Sequence, residues 1–141
     1  MIQFSQQEIR FTLKSKLALK GWIKEIISKH GMKTGDINYI FCSDEYLLKI
    51  NKQYLNHDTY TDIITFNYNE KSTINGDIFI SIERIRDNMG KYNTSMNNEL
   101  GRVMAHGILH LLGYKDKKRG EKLIMRGKEE ECMSKFPLLS T

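Results

Sequence analysis

Hydrophobic and polar positions along this chain change period several times, and the changes predict the element order β-α-β-α-β-β-α-α-α. Ile2–Phe4 reads as a short first strand. Leu13, Leu17, Trp22, Ile23, Ile26 and Ile27 then recur at roughly helical spacing, with Lys14, Lys16, Lys20, Lys24 and Lys29 mostly outside that set. This predicts a helix from about Thr12 to His30, capped by Ser5 or Thr12 and stopped by Gly31. Asp36–Cys42 alternates and is rich in β-formers, so it is a strand. Ser43 looks like an N-cap, with Asp44 and Glu45 in the first turn of a helix to about Tyr54. Leu47, Ile50 and Tyr54 are expected to point inward. After a polar loop at Asn56–Tyr60, Asp62–Tyr68 and Gly76–Ile82 read as strands joined by a polar hairpin connection at Glu70–Asn75. Their apolar runs suggest cover on at least one face.

Ser81–Tyr92 follows as a short helix, and Asn93–Asn98 as a polar break. The next helix starts near Ser95–Asn98, with Glu99 in its first turn. Leu100, Val103, Met104, Gly107, Ile108 and Leu111 form one stripe on it, and Ala105, Leu109 and Leu112 lie opposite. A helix apolar on two sides is central and buried. The remaining flank holds Glu99, Val103, His106, His110 and Gly113, with Arg102 at its edge, and polar groups on a buried helix need partners. A last helix, about Lys118 to Ser134, carries Leu123 and Ile124 within a heavy mixed charge load. The expected fold class is α+β: one small mixed sheet of about four strands packed with helices, with a metal site on the central buried helix.

Length and composition keep this picture. The 141 residues hold one proline and show no repeat or linker, which fits a single domain over 1–141. Apolar residues at 40% and charged ones at 28% are ordinary for a soluble globular protein. No apolar run is long enough to span a bilayer, and no basic-then-apolar leader is visible, so a cytoplasmic protein without a membrane partner is expected. Cys42 and Cys132 form no CxxC pair and read as reduced thiols. The net charge of +5 suits an anionic partner such as nucleic acid, although many basic proteins bind none.

Candidate chemistry concentrates in His106-Gly-Ile-Leu-His110-Leu-Leu-Gly113-Tyr-Lys-Asp116. A four-residue helical step turns about 400°, so both imidazoles project from one face, about 6 Å apart along the axis. That spacing can hold one metal ion. Gly113 suits a helix C-terminus, and a turn there could bring Asp116 back as a third ligand. Three protein ligands with one open position describe a catalytic metal site. The bland alternative is a pair of satisfied core histidines. The zinc-protease pattern HExxHxxGxxH has the same positions, but its glutamate is replaced here by Gly107, which removes the proton-handling group of that route.

The stretch also resembles a helix motif, HGxLHLxGYDH, of the YbeY endoribonuclease family of rRNA maturation factors. His106, Gly107, Leu109, His110, Leu111, Gly113 and Tyr114 match it. A second motif, approximately NxxYRxxDxPTDVLSF, is matched by Asn51, Tyr54, Asp58, Thr61, Asp62 and Phe66, with Ile63, Ile64 and Thr65 as close substitutes. Gly76-Asp77-Ile78 matches the family's following GDI strand. The resemblance implies one Zn²⁺ held by His106, His110 and the residue at Asp116. It implies a single-strand-specific endoribonuclease acting in 16S rRNA 3′-end maturation and ribosome quality control, with single-stranded RNA and the small ribosomal subunit as partners.

Two departures bear on that reading. The third histidine of the family falls on Asp116, whose charge lowers Lewis acidity and favours a harder ion such as Mn²⁺ or Mg²⁺ more than a histidine does. Leu55 stands where the motif has an arginine suited to phosphate, so another cation must serve. Lys52, Arg84, Arg102 and Lys115 are the candidates: Lys52 and Arg84 for RNA contact, and Asp62, Arg102 and Lys115 for the cleft. Tyr60 and Tyr68 are candidate stacking platforms, and no catalytic group is assigned beyond a water on the metal. The alternatives are a ribosome-assembly factor with a structural metal and a zinc-dependent peptidase.

Overall fold

The structure, a computed structural model, describes residues 1–137. Strands β1 (Ile2–Gln7), β2 (Lys33–Cys42), β3 (Ile63–Asn67) and β4 (Thr73–Ser81) form one sheet in the order β1-β2-β4-β3. β1 and β4 run parallel to β2, and β3 runs antiparallel to β4. The helices are α1 (Lys16–Lys29), α2 (Asp44–Leu55), α3 (Ile82–Lys91), α4 (Met96–Leu111) and α5 (Arg119–Met133). The α+β class and the element order agree with the expectation.

Alternation along β2 divides the sheet into two faces. Ile37, Tyr39 and Phe41 are in register with Ile2, Phe4 and Gln6 on β1 and with Gly76, Ile78 and Ile80 on β4. This face meets α1 and α4 in the main core. Cys42, Ile64 and Phe79 lie on the other face, packed with Leu47 and Tyr46 of α2.

α4 is buried on both sides. A Cβ on Gly107 would come within 2.9 Å of Ile78 Cγ2 and 3.1 Å of Ile63 Cδ1, so the glycine lets the helix lie close on the sheet. The buried Tyr39 hydroxyl donates to the Met104 carbonyl at 2.9 Å and ties β2 to α4. At Gly101 the helix is covered by the ring of Phe136, which meets Trp22 edge-on at 4.8 Å. Trp22 Nε1 donates in turn to the Cys132 carbonyl at 2.9 Å and fixes the end of α5 against α1.

Several expected boundaries move. β1 runs to Gln7 because parallel pairing with β2 continues past the polar residues Gln6 and Gln7. α1 starts at Lys16, with Ser15 as N-cap at φ 57. Leu13 is buried ahead of the helix, and Leu17 is 81% exposed. Two residues from Leu19 is about 200° around a helix, which places Leu17 opposite the buried face. β2 begins at Lys33, with a register shift between Thr34 and Ile37 that hides its start from an alternation pattern. Tyr54 does not point inward: it is 59% exposed in the last turn of α2, edge-on to Phe66 of the edge strand β3 at 5.7 Å. Among the described residues, no helix is long and apolar enough to cross a membrane.

Candidate metal centre

The centre is set by how α4 ends. Gly113 N–H donates to the His110 carbonyl and Tyr114 N–H to the Leu109 carbonyl, both at 3.0 Å, with Gly113 at φ 105. This is a Schellman turn, whose positive-φ position a glycine fills without steric cost. The turn has two chemical consequences. It brings Asp116 back onto the histidine flank of α4. It also places the Tyr114 carbonyl 3.1 Å from His110 Nδ1. Tyr114 is itself anchored, since its hydroxyl lies 2.9 Å from His30 Nε2 while His30 Nδ1 is 2.8 Å from the Ile26 carbonyl.

His106 Nε2 and His110 Nε2 are 3.0 Å apart. Asp116 Oδ2 is 3.1 Å from the first and 3.3 Å from the second. A tetrahedral ion with bonds of about 2.0 Å places its ligand atoms about 3.3 Å apart. The far side of each ring decides the protonation. The Tyr114 carbonyl can only accept, so His110 Nδ1 carries the proton. His106 Nδ1 lies 2.5 Å from Glu129 Oε2 and donates to that carboxylate. With Nδ1 protonated on both rings, each imidazole in its neutral form presents an Nε2 lone pair to a carboxylate oxygen. Three acceptors converge on one point, an arrangement that needs a cation or a shared proton between them. These residues fit a divalent ion bound by two imidazoles and one carboxylate.

Glu129, buried on α5, also accepts from Arg102 Nη1 at 3.2 Å. Arg102 reaches Glu99 Oε1 at 2.5 Å, and Glu99 is only 2% exposed. A continuous Glu99–Arg102–Glu129–His106 network thus backs the centre. Burial works against a charge on His106, but Glu129, Asp116 and Asp62 outweigh it and raise its pKa. Burial likewise opposes the charge on Glu129, and the partners His106 and Arg102 prevail and lower its pKa. Burial pushes the Asp62 carboxyl upward, against the pull of His106 and Arg102.

A cleft of about 320 Å³ opens beside the centre. Asp62, Arg102, Glu129, Lys122 and Arg126 line it together with His106 and Asp116. Asp62 and Arg102 are therefore at the cleft, with Arg102 committed to two carboxylates. Lys115 is exposed, next to Asp116 in the chain, but does not line the cleft. Lys52 pairs with Asp58 at 3.2 Å, and Arg84 with Asp44 at 2.8 Å and Asp87 at 3.6 Å. Neither lines the cleft. Tyr60 donates its hydroxyl to Glu45 at 2.6 Å, its ring 5.6 Å from the Arg84 guanidinium, and Tyr68 is exposed on the β3–β4 hairpin. Leu55 is 40% exposed and also lies outside the cleft lining.

The whole chain can now be compared with known proteins. The family model described as Endoribonuclease YbeY matches residues 1–137. The chain belongs to the YbeY endoribonuclease family. An Endoribonuclease YbeY from Flavobacterium johnsoniae is 50% identical over 136 residues, 96% of this chain and 97% of that protein. Another, from Parabacteroides distasonis, is 48% identical over 136 residues and covers 96% of each. The solution structure of TM1509 from Thermotoga maritima superposes with a TM-score of 0.68 at 26% identity, covering 96% of this chain and 89% of that one.

For this YbeY-family chain, reasoning from the sequence missed Glu129. It sits in the charged run Lys128-Glu129-Glu130-Glu131, where no single glutamate stands out. One signal was present: Met125, Glu129 and Cys132 are spaced four and three apart, and these three are the buried residues of α5. Lys122 and Arg126, on the same helix, were passed over as part of its mixed charge.

Proposed function

We propose that this chain is a single-domain, metal-dependent endoribonuclease that cuts single-stranded RNA, with zinc as the ion. Its cellular role in this reading is 16S rRNA 3′-end maturation and ribosome quality control, in the cytoplasm and on the small ribosomal subunit. The observation that carries the metal is the convergence of His106 Nε2, His110 Nε2 and Asp116 Oδ2 with both Nδ1 atoms already committed. Two imidazoles and a carboxylate are a donor set suited to zinc. When bound, the ion supplies Lewis acidity toward a phosphodiester oxygen and toward water.

The chain's own groups do the rest. Glu129 holds the His106 ring in the tautomer that frees Nε2, and the Tyr114 carbonyl does the same for His110. Arg102 balances the buried charge of Glu99 and Glu129. Lys122 and Arg126 bring positive charge to the cleft wall, where the backbone of a nucleic acid is anionic. The family assignment supports RNA as the substrate. Gly107 disfavours a peptidase, because a side chain at that position would meet Ile78 and Ile63 of the sheet.

The test is cleavage of a labelled single-stranded RNA by purified, metal-loaded protein. His106→Ala and His110→Ala should abolish cleavage while circular dichroism is unchanged. Cleavage at the wild-type rate in both variants would overturn the reading. One observation favours a second reading, an assembly factor with a structural metal: Leu55 replaces the motif's arginine. That reading requires cells carrying His110→Ala to process 16S rRNA normally.

A further inference from the structure

Arg119, Lys122 and Arg126 lie on one face of α5 at spacings of three and four residues, about 10 Å along the axis from first to last. All three are exposed, and among the described residues none makes a side-chain hydrogen bond or ion pair. Arg84, Arg102 and Lys52, by contrast, are each held by carboxylates. The three α5 cations line a groove of about 290 Å³ with Leu123. Lys122 and Arg126 belong also to the wall of the metal cleft. Arg126 lines a third groove, of about 580 Å³, that shares Asp62, Arg102 and Glu129 with the cleft. Tyr92, which is 61% exposed, also lines that groove, with Asn88, Thr94 and Asn98. The cleft thus shares a wall with each of the other two grooves, through Lys122 and Arg126 on one side and through Asp62, Arg102, Arg126 and Glu129 on the other.

We infer that α5 forms the phosphate-binding track of this protein: Arg119, Lys122 and Arg126 hold the backbone of a single RNA strand on one side of the metal centre, and Tyr92 stacks a base on the other. This rests on the reading that the cleft takes single-stranded RNA. The two ends differ in chemistry as the two parts of a nucleotide do. Unpaired cations face the charged backbone. The Tyr92 groove contains four carboxylates, Asp62, Glu99, Glu129 and Glu130, against the two cations Arg102 and Arg126, a balance that opposes phosphate, while its ring and its amide and hydroxyl groups suit a base. In this chain α5 thereby supplies the positive charge that Leu55 does not.

The experiment is fluorescence anisotropy of a labelled single-stranded RNA with the full, metal-loaded chain across a salt series, with RNA integrity checked on a gel. A single strand loses about 0.7 in the slope of log affinity against log salt for each phosphate contact removed. The triple variant Arg119→Gln, Lys122→Gln, Arg126→Gln should flatten the slope by about 2. Tyr92→Ala should weaken binding roughly five-fold or more with the slope unchanged. A control triple variant of equal net charge, Lys14→Gln, Lys16→Gln, Lys24→Gln, should leave the slope as in wild type. A wild-type slope in the α5 variant, an equal loss in the control, or no RNA binding by the wild type overturns the track. RNA bound but left uncut by the wild type overturns the nuclease reading and leaves the track standing. RNA cut by the α5 variant with an unchanged KM does the reverse.

Discussion

His106 Nδ1 and Glu129 Oε2 lie 2.5 Å apart, joining α4 to a residue 23 positions further along the chain. The contact fixes which nitrogen of His106 carries a proton, and so which one faces Asp116. Glu129→Ala removes that control, and metal affinity should fall by about 10–100-fold, as is usual when such a partner is lost. Glu129→Gln keeps an acceptor oxygen and should lose less. Chelator competition measures both; an affinity unchanged in the alanine variant would contradict the role.

Arg102 is a structural cation before it is anything else. Removing it strands Glu99 and Glu129, both buried. Breaking a fully buried pair costs about 3–5 kcal/mol, and Arg102 is partly exposed, so Arg102→Met should cost on the order of 2–3 kcal/mol. Urea denaturation checks this. A variant as stable as wild type would free Arg102 for the RNA role its sequence position suggests.

Gly107→Ala sets two effects against each other. Alanine is favoured in a helix interior by about 1 kcal/mol over glycine. Its methyl would meet Ile78 Cγ2 at 2.9 Å, and overpacking costs about 1–3 kcal/mol. The clash should win, with Tm lowered by a few degrees in thermal unfolding. A raised Tm would mean that α4 and the sheet part easily.

Burial pushes the Cys42 thiol up to about 12 and the Cys132 thiol up to about 11. The thiolate is the reactive form, so a raised pKa keeps both thiols protonated and inert at pH 8. A disulfide reagent should label neither in the native protein and both on unfolding. Rapid labelling of one equivalent at pH 8 would show that one site opens.

The elements were legible because their patterns are local. Ser43, whose hydroxyl accepts from Tyr46 N–H at 3.1 Å, sits at the cap its sequence suggested. The two-sided apolar pattern of α4 is a local reading of a central helix. His106, His110, Gly113 and Asp116 were legible together because one helical turn and one Schellman turn bring them together. Glu129, Lys122 and Arg126 were not, because they reach the cleft only by the packing of α5 against α4. The same limit explains Arg84 and Lys52: a sequence shows a cation, not the Asp44 or Asp58 that already occupies it.

The metal content of the purified protein, dialysed in metal-free buffer and measured by elemental analysis, bears most directly on the centre. Wild type should retain about one zinc ion per chain. His110→Ala and Asp116→Ala should be empty while keeping the wild-type circular dichroism spectrum. A folded wild type that takes up no divalent ion even after incubation with zinc, or an Asp116→Ala protein that retains a full complement, would contradict the three-ligand site.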